Sequence, residues 1–409
     1  MSRKYQCFLN LISLLIFIII AFLCQLNIQT YKFPDSFSYI LACKELYFDL
    51  KLDDHRPFLY SLIYGIPLLF TKNIESIFLW SLVLNILFWF ATINVLFKTL
   101  LSITTKKIAF YASLVFSICI GNIFIIFHLL TETIFTSTIL LTVYYLVNYS
   151  ENKKIKHLIY ALSVLILACL IKPLNLGIVL ICIIFYYKDI LKITKSRYSI
   201  ALYFSFLLFM IQLIGMKLTY GNFTLSYIDS STYYNYLGTK ADCFKNNEVF
   251  IQGKNKRVME TSKLSHQEMK SLAQKDISNQ LRNNKVNLIK AYFSNLYINS
   301  TKGSASVHGC KNINKTNYFD LSQFLFKVIS KIQNCIFTIF GLISSLIVLF
   351  NLKKIKKGNL IIALMILYII GISAISTDQG DRFHIIIYPL IILQITNIIT
   401  NWRQRLYIP

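Results

Sequence analysis

The chain has 409 residues, of which 56% are hydrophobic and 15% charged, with a mean hydropathy of +0.57 and a formal net charge of +24. So apolar a composition excludes an ordinary soluble globular protein. The basic excess does not require a nucleic-acid partner, because positive-inside anchoring of a membrane protein together with a basic outer loop explains it.

The apolar runs reach the roughly 20 residues that a bilayer-spanning helix needs. They predict an all-α polytopic membrane protein of about ten transmembrane helices, near 7–27, 77–101, 108–129, 132–149, 157–171, 174–187, 198–220, 332–352, 360–376 and 383–401. An interfacial helix in the first outer loop and a small helical outer lobe complete the expected fold. The segments 157–171 and 174–187 are short and could form one broken helix, but Lys172-Pro173 between them favours a turn. The organisation read from this is a bundle over 1–220 whose first outer loop, 28–76, carries candidate site residues, an outward helical region over 221–331, and C-terminal spans over 332–409.

Cys7–Leu26 is long for a signal-peptide core and no small-residue cleavage site follows, so it reads as a retained first helix. Orientation follows from the cations between the spans. Eighteen Lys and Arg residues fall in alternate gaps: Arg3 and Lys4; Lys98, Lys106 and Lys107; Lys153, Lys154 and Lys156; Lys188, Lys192, Lys195 and Arg197; Lys353, Lys354, Lys356 and Lys357; Arg403 and Arg405. The other short gaps hold only Lys172 and Arg382. Both termini are therefore expected on the cytoplasmic side, with 28–76 and 221–331 outside.

The first outer loop contains Pro34-Asp35-Ser36-Phe37-Ser38-Tyr39 and Asp53-Asp54-His55-Arg56-Pro57. Asp35 either caps a helix starting at Ser36 or serves chemistry at the membrane surface. The apolar stretch from Pro57 to Phe70, with Tyr60 and Tyr64 one turn apart, is too short to span and is expected along the interface. Glu132 occupies the otherwise apolar turn between the third and fourth spans, either as an interfacial loop carboxylate or as a functional group facing a cavity. Lys172 and Asp381-Arg382 break the positive-inside bias in two other outer turns. Each cation could grip a lipid phosphate, touch headgroups, or form a salt bridge such as Arg382 with Glu132.

In the outer region a helical pattern runs from about Ser262 to Leu296 through Met269, Leu272, Ala273, Ile277, Leu281, Val286, Ile289 and Tyr292. The Asn-x-Ser/Thr triplets at Asn222, Asn299 and Asn314 are expected by chance in so Asn-rich a chain. Cys243 and Cys310 are the two cysteines of this region, and an oxidising exterior would favour a disulfide between them, with Cys43 as a competing partner. No Cys-x-x-Cys or His-x-x-x-His spacing points to a transition-metal site.

Asp35-Ser36-Phe37-Ser38-Tyr39, Arg56-Pro57-Phe58-Leu59-Tyr60, Thr131-Glu132, Lys172-Pro173 and Asp381-Arg382-Phe383-His384 through Tyr388-Pro389 together resemble the GT-C superfamily of integral-membrane glycosyltransferases. That superfamily includes the protein O-mannosyltransferases and the lipid A aminoarabinose transferases. The resemblance implies a polyprenyl-phosphate-linked sugar as donor, a glycan or lipid acceptor, and no cofactor beyond that co-substrate, with a divalent metal left open. It carries Asp35 over as the catalytic carboxylate. Arg382, Lys172 and Arg56 become the phosphate-binding candidates, and Tyr39, His55, Asp381 and His384 lie beside them as further substrate-binding candidates. Family members often pair two adjacent acids where this chain has Asp35-Ser36, so the second acid is Glu132 or the Asp53-Asp54 pair. An O-antigen-type polymerase or a lipid-linked-sugar transporter are the alternatives. A composition rich in Ile, Lys and Asn suggests the inner membrane of a low-GC bacterium.

Overall fold

The computed structural model describes residues 2–27, 33–193, 196–261, 263–351 and 356–406. Lys195, Lys353 and Lys354 of the cationic gaps, and positions 28–32 of the first outer loop, lie outside the described residues. Helix accounts for 77% of the structure, and no strand occurs among the described residues.

The helices in chain order are α1 (Ser2–Leu23), α2 (Ser36–Phe48), α3 (Phe58–Tyr64), α4 (Glu75–Leu101), α5 (Lys106–Ser117), α6 (Ile120–Ile125), α7 (Glu132–Asn152), α8 (Ile155–Cys169), α9 (Leu176–Ile190) and α10 (Ser199–Tyr220). The outer region follows with α11 (Ile228–Thr232), α12 (Thr239–Asn246), α13 (Lys256–Thr261), α14 (His266–Asn283), α15 (Lys285–Thr301) and α16 (Ala305–His308). The chain closes with α17 (Phe319–Phe350), α18 (Lys357–Ser373) and α19 (Tyr388–Leu406).

Among the described residues, five helical stretches are long and apolar enough to cross a membrane: Arg3–Leu23, Glu75–Leu101, Pro173–Ile190, Ser199–Tyr220 and Phe319–Phe350. Shorter apolar helices occupy Ile155–Cys169, Lys357–Ser373 and Tyr388–Thr400. These mark a membrane-associated protein. The ten expected spans are thus not all matched. Although α7 is long enough, its Thr, Ser, Tyr and Asn residues make it too polar to join the five.

The expected span 108–129 is broken in two. Between α5 and α6 the backbone loses its helical partners, and Gln333 of α17 supplies them: its Nε2 donates to Ile118 O at 3.0 Å and its Oε1 accepts from Ile120 N at 2.9 Å. Further on, Asn85 Nδ2 donates to the carbonyls of Ile126 and His128. Irregular backbone survives inside an apolar bundle because side chains satisfy it. Helices α8 and α9 form a hairpin, not one broken helix. Pro173 opens a 3-10 turn at its tip, and Asn175 Nδ2 caps the Leu165 carbonyl at 2.6 Å.

The Pro57–Phe70 stretch folds as α3 plus a 3-10 turn, Ile66–Leu69. Tyr60 and Tyr64, expected on an interfacial face, instead point inward and stack at 4.1 Å. In the outer lobe the helical pattern breaks at Asn284 into α14 and α15. Met269 and Ala273 are buried, whereas Ile277, Leu281, Val286 and Ile289 are exposed. The expected Cys243–Cys310 disulfide is absent, and both are free thiols. They belong to separate parts of the outer region. Cys243 accepts from Asn255 within the lobe, and Cys310 follows α16, beside the Ser306 carbonyl.

Candidate functional site

Four segments far apart in sequence converge on Glu132. It opens α7, and its side chain is fully buried. One oxygen, Oε1, accepts from Arg382 Nε at 2.7 Å and from Lys172 Nζ at 3.0 Å. Its second oxygen is buried without a hydrogen-bond partner. Lys172 arrives from the tip of the α8–α9 hairpin, just before the 3-10 turn that Pro173 opens, and its ammonium lies 5.1 Å from the Phe383 ring centre. Burial disfavours the Lys172 charge, and the neighbouring Glu132 only partly offsets this.

Arg382 sits in a 3-10 turn, Gly380–Phe383, between α18 and α19. Its Nη1 donates to Asp35 Oδ2 at 2.6 Å and to Gln379 Oε1 at 3.3 Å, while the Phe33 ring lies 4.9 Å from the guanidinium. Burial opposes the Arg382 charge, but Glu132 and Asp35 outweigh it and raise its pKa. Asp35 does stand at the N-cap position of α2, yet its side chain makes no capping bond and turns to Arg382 instead. With 38% of its side chain exposed against 1% for Glu132, Asp35 is the carboxylate of this cluster that solvent reaches.

Arg56 stands one step away. Its guanidinium donates to Tyr39 OH at 3.0 Å and to Ser38 Oγ at 3.0 Å, lying over the Tyr39 ring at 4.1 Å. Asp53 fixes this approach by accepting the backbone N–H groups of His55 and Arg56. Tyr39 OH in turn lies 3.3 Å from Thr131 Oγ1, next in sequence to Glu132.

Three candidates are not part of this convergence. His55 pairs with Asp54, which His266 also reaches, both at 2.7 Å. Asp381 points away from Arg382 into the packing of α6. A Cβ on Gly121 would come within 2.1 Å of Asp381 Oδ2, so only glycine leaves room there. Burial pushes the Asp381 carboxyl up to about 7. His384 is also buried, with Nδ1 2.9 Å from Thr338 Oγ1 and Nε2 3.1 Å from Ser373 Oγ. Both were expected beside the donor. The 3-10 turn explains the difference, because residues about 120° apart cannot share one face.

Phe33 and Gln379 join the site without having been picked out in the sequence, and Ser38 and Thr131, quoted only as parts of motifs, join it without having been given a role. Gln379, three residues before Arg382, could have been found from its spacing along a turn; Phe33 and Thr131 had only their nearness to Asp35 and Glu132. Among the described residues no three His, Cys, Asp or Glu side chains converge as a metal site. The chain matches no protein-family model, no curated protein and no solved structure.

Proposed function

We propose that this chain is a GT-C-type membrane glycosyltransferase. It transfers a sugar from a polyprenyl-phosphate-linked donor to a glycan or lipid acceptor at the outer face of a bacterial inner membrane, with both termini cytoplasmic. The observation that carries this reading is the contact of Arg382 with both Asp35 and Glu132, with Lys172 on the same Glu132 oxygen. Arg382 and Lys172 meet the two carboxylates, Arg56 adds a third cation one step away on Tyr39 and Ser38, and the surplus positive charge suits an anionic ligand such as a phosphate.

In this reading Glu132 is the fixed counter-ion that keeps Arg382 and Lys172 charged in an apolar setting. The donor phosphate draws the Arg382 Nη groups away from Asp35, which frees the half-exposed carboxylate. The acceptor hydroxyl then attacks the anomeric carbon. The new carbon–oxygen bond forms as the bond to the phosphate oxygen breaks, Asp35 takes the hydroxyl proton, and Arg382 with Lys172 receives the charge of the departing polyprenyl phosphate.

The test is mass spectrometry of lipid-linked intermediates and surface glycans from cells carrying the wild-type chain, Asp35→Asn or no copy. A glycan modification lost both in Asp35→Asn and without the protein is the expected result. Normal glycans in cells expressing Asp35→Asn would remove the carboxylate mechanism, and an outcome limited to glycan chain length would indicate the polymerase.

A further inference from the structure

Helix α15 has one face the bundle uses and one it does not. On the used face, Asn295 Nδ2 donates to Ala374 O at 3.0 Å, and Asn299 Nδ2 donates to Ser373 O at 2.9 Å and Ser376 O at 3.0 Å. Tyr292 OH reaches Gly371 O at 2.8 Å. Gly371 and Ser373 belong to the last turn of α18, where the regular helix bonds run out, and Ala374 and Ser376 follow it, so α15 ties down the C-terminal end of α18. Its far end is clamped to α17. Asn334 Nδ2 donates to Asn299 O and Lys302 O, each at 2.7 Å, and a Cβ on Gly303 would meet Ser330 Oγ at 2.6 Å.

These anchor points fix the depth of α15. In α17 no charged residue follows Lys331 until Lys353, and residues 358–377 of the α18 segment carry none before Asp378. Lys331 and Asp378 therefore mark the boundary of the apolar layer, where Lys302 of the α15 end pairs with Asp378. Tyr292 and Asn295 contact the uncharged run inside that boundary. On the opposite face, Val286, Ile289, Phe293 and Tyr297 are 71%, 55%, 61% and 69% exposed. At 100° per residue they occupy an arc of about 80°. Lys285 and Lys290 flank this stripe, and residues 285–301 contain no acid.

We propose that α15 is an interfacial membrane helix, with the Val286–Tyr297 stripe in the outer acyl–headgroup boundary and Lys285 and Lys290 on anionic headgroups. An apolar stripe with interfacial aromatics, basic flanks and no acid is the pattern such a surface selects. The outer lobe is thereby held down on the membrane, and the inference is independent of the enzymatic reading.

Full-length protein carrying p-benzoylphenylalanine at Phe293 or at Tyr297 is reconstituted in vesicles of phosphatidylcholine and phosphatidylglycerol and irradiated. The control is the same photoprobe at Ser278, on the polar exposed face of α14. Intact-mass measurement should give phospholipid adducts at both test positions, about tenfold above Ser278. A covalent dimer at these positions would assign the stripe to a second copy and overturn the proposal. So would a lipid yield no higher than that at Ser278.

Discussion

Two regions of this molecule place an arginine between two acids, and they do so differently. In the outer lobe Arg257 meets Asp242 and Asp276, with Tyr233 OH and Gln280 Nε2 on the same two carboxylates and the Tyr234 ring 3.9 Å from the guanidinium. All of these residues come from one stretch of chain, and the charges sum to a net negative. In the bundle, Arg382 meets Asp35 and Glu132 with Lys172 and Arg56 close by, the partners lie more than two hundred residues before it, and the balance is positive. The lobe cluster fastens local helices around a small core. The bundle cluster places a cationic surplus, a buried unpaired carboxylate oxygen and a half-exposed carboxylate in one place, which packing alone does not call for.

Removing each arginine tests this contrast most severely. Arg382→Ala leaves Glu132 and Asp35 without their main partner and should cost about 3–5 kcal/mol of stability, read by thermal denaturation in detergent, with transfer abolished. Arg257→Ala should cost about 2 kcal/mol and leave transfer by the folded fraction intact. Equal loss of transfer in both variants would erase the distinction. Arg382→Lys keeps the charge but loses the fork that spans two acids. It should bind undecaprenyl phosphate at least about tenfold more weakly by native mass spectrometry, on the usual scale of one lost charged contact.

Asp35→Asn separates chemistry from packing within the bundle cluster. Transfer should fall by about 10²-fold or more, while stability should move by no more than about 1 kcal/mol because the pair is partly exposed. A large fall in stability would make Asp35 a structural partner of Arg382.

A smaller effect concerns the residue next to Arg382. Burial raises the Asp381 carboxyl from 3.8 to about 7, so the folded chain holds that proton more tightly than the unfolded one. Stability should therefore decline as pH rises from about 4 to about 7. Asp381→Asn should flatten that slope without altering transfer, as seen in thermal midpoints across the range. A slope that persists in the variant would assign it to other carboxylates. The mildest test is orientation: added cysteines at exposed Phe70 and Lys254 should label from outside in a Cys7→Ser background, and one at Lys356 should not.

Much of this was legible in the chain itself. Long uncharged runs must become helices, because backbone polar groups cannot stay unpaired in an apolar layer. A charge in an otherwise apolar turn must find a partner, so Asp35, Glu132, Lys172 and Arg382 could be singled out by position alone. What the sequence could not decide is direction and partnership. Asp381 and Arg382 are adjacent, yet the 3-10 turn sends one into the packing of α6 and the other into the cluster. Between α5 and α6 an apolar pattern fit for one helix is broken because Gln333, more than two hundred residues later, can replace the missing backbone bonds. The apolar spacing of Val286 and Ile289 on α15 pointed to a helix, but periodicity reports that a helix has an apolar face without saying what covers it. Spacing along a chain specifies local geometry; which side chain completes a distant hydrogen bond or charge pair is fixed only when the helices pack.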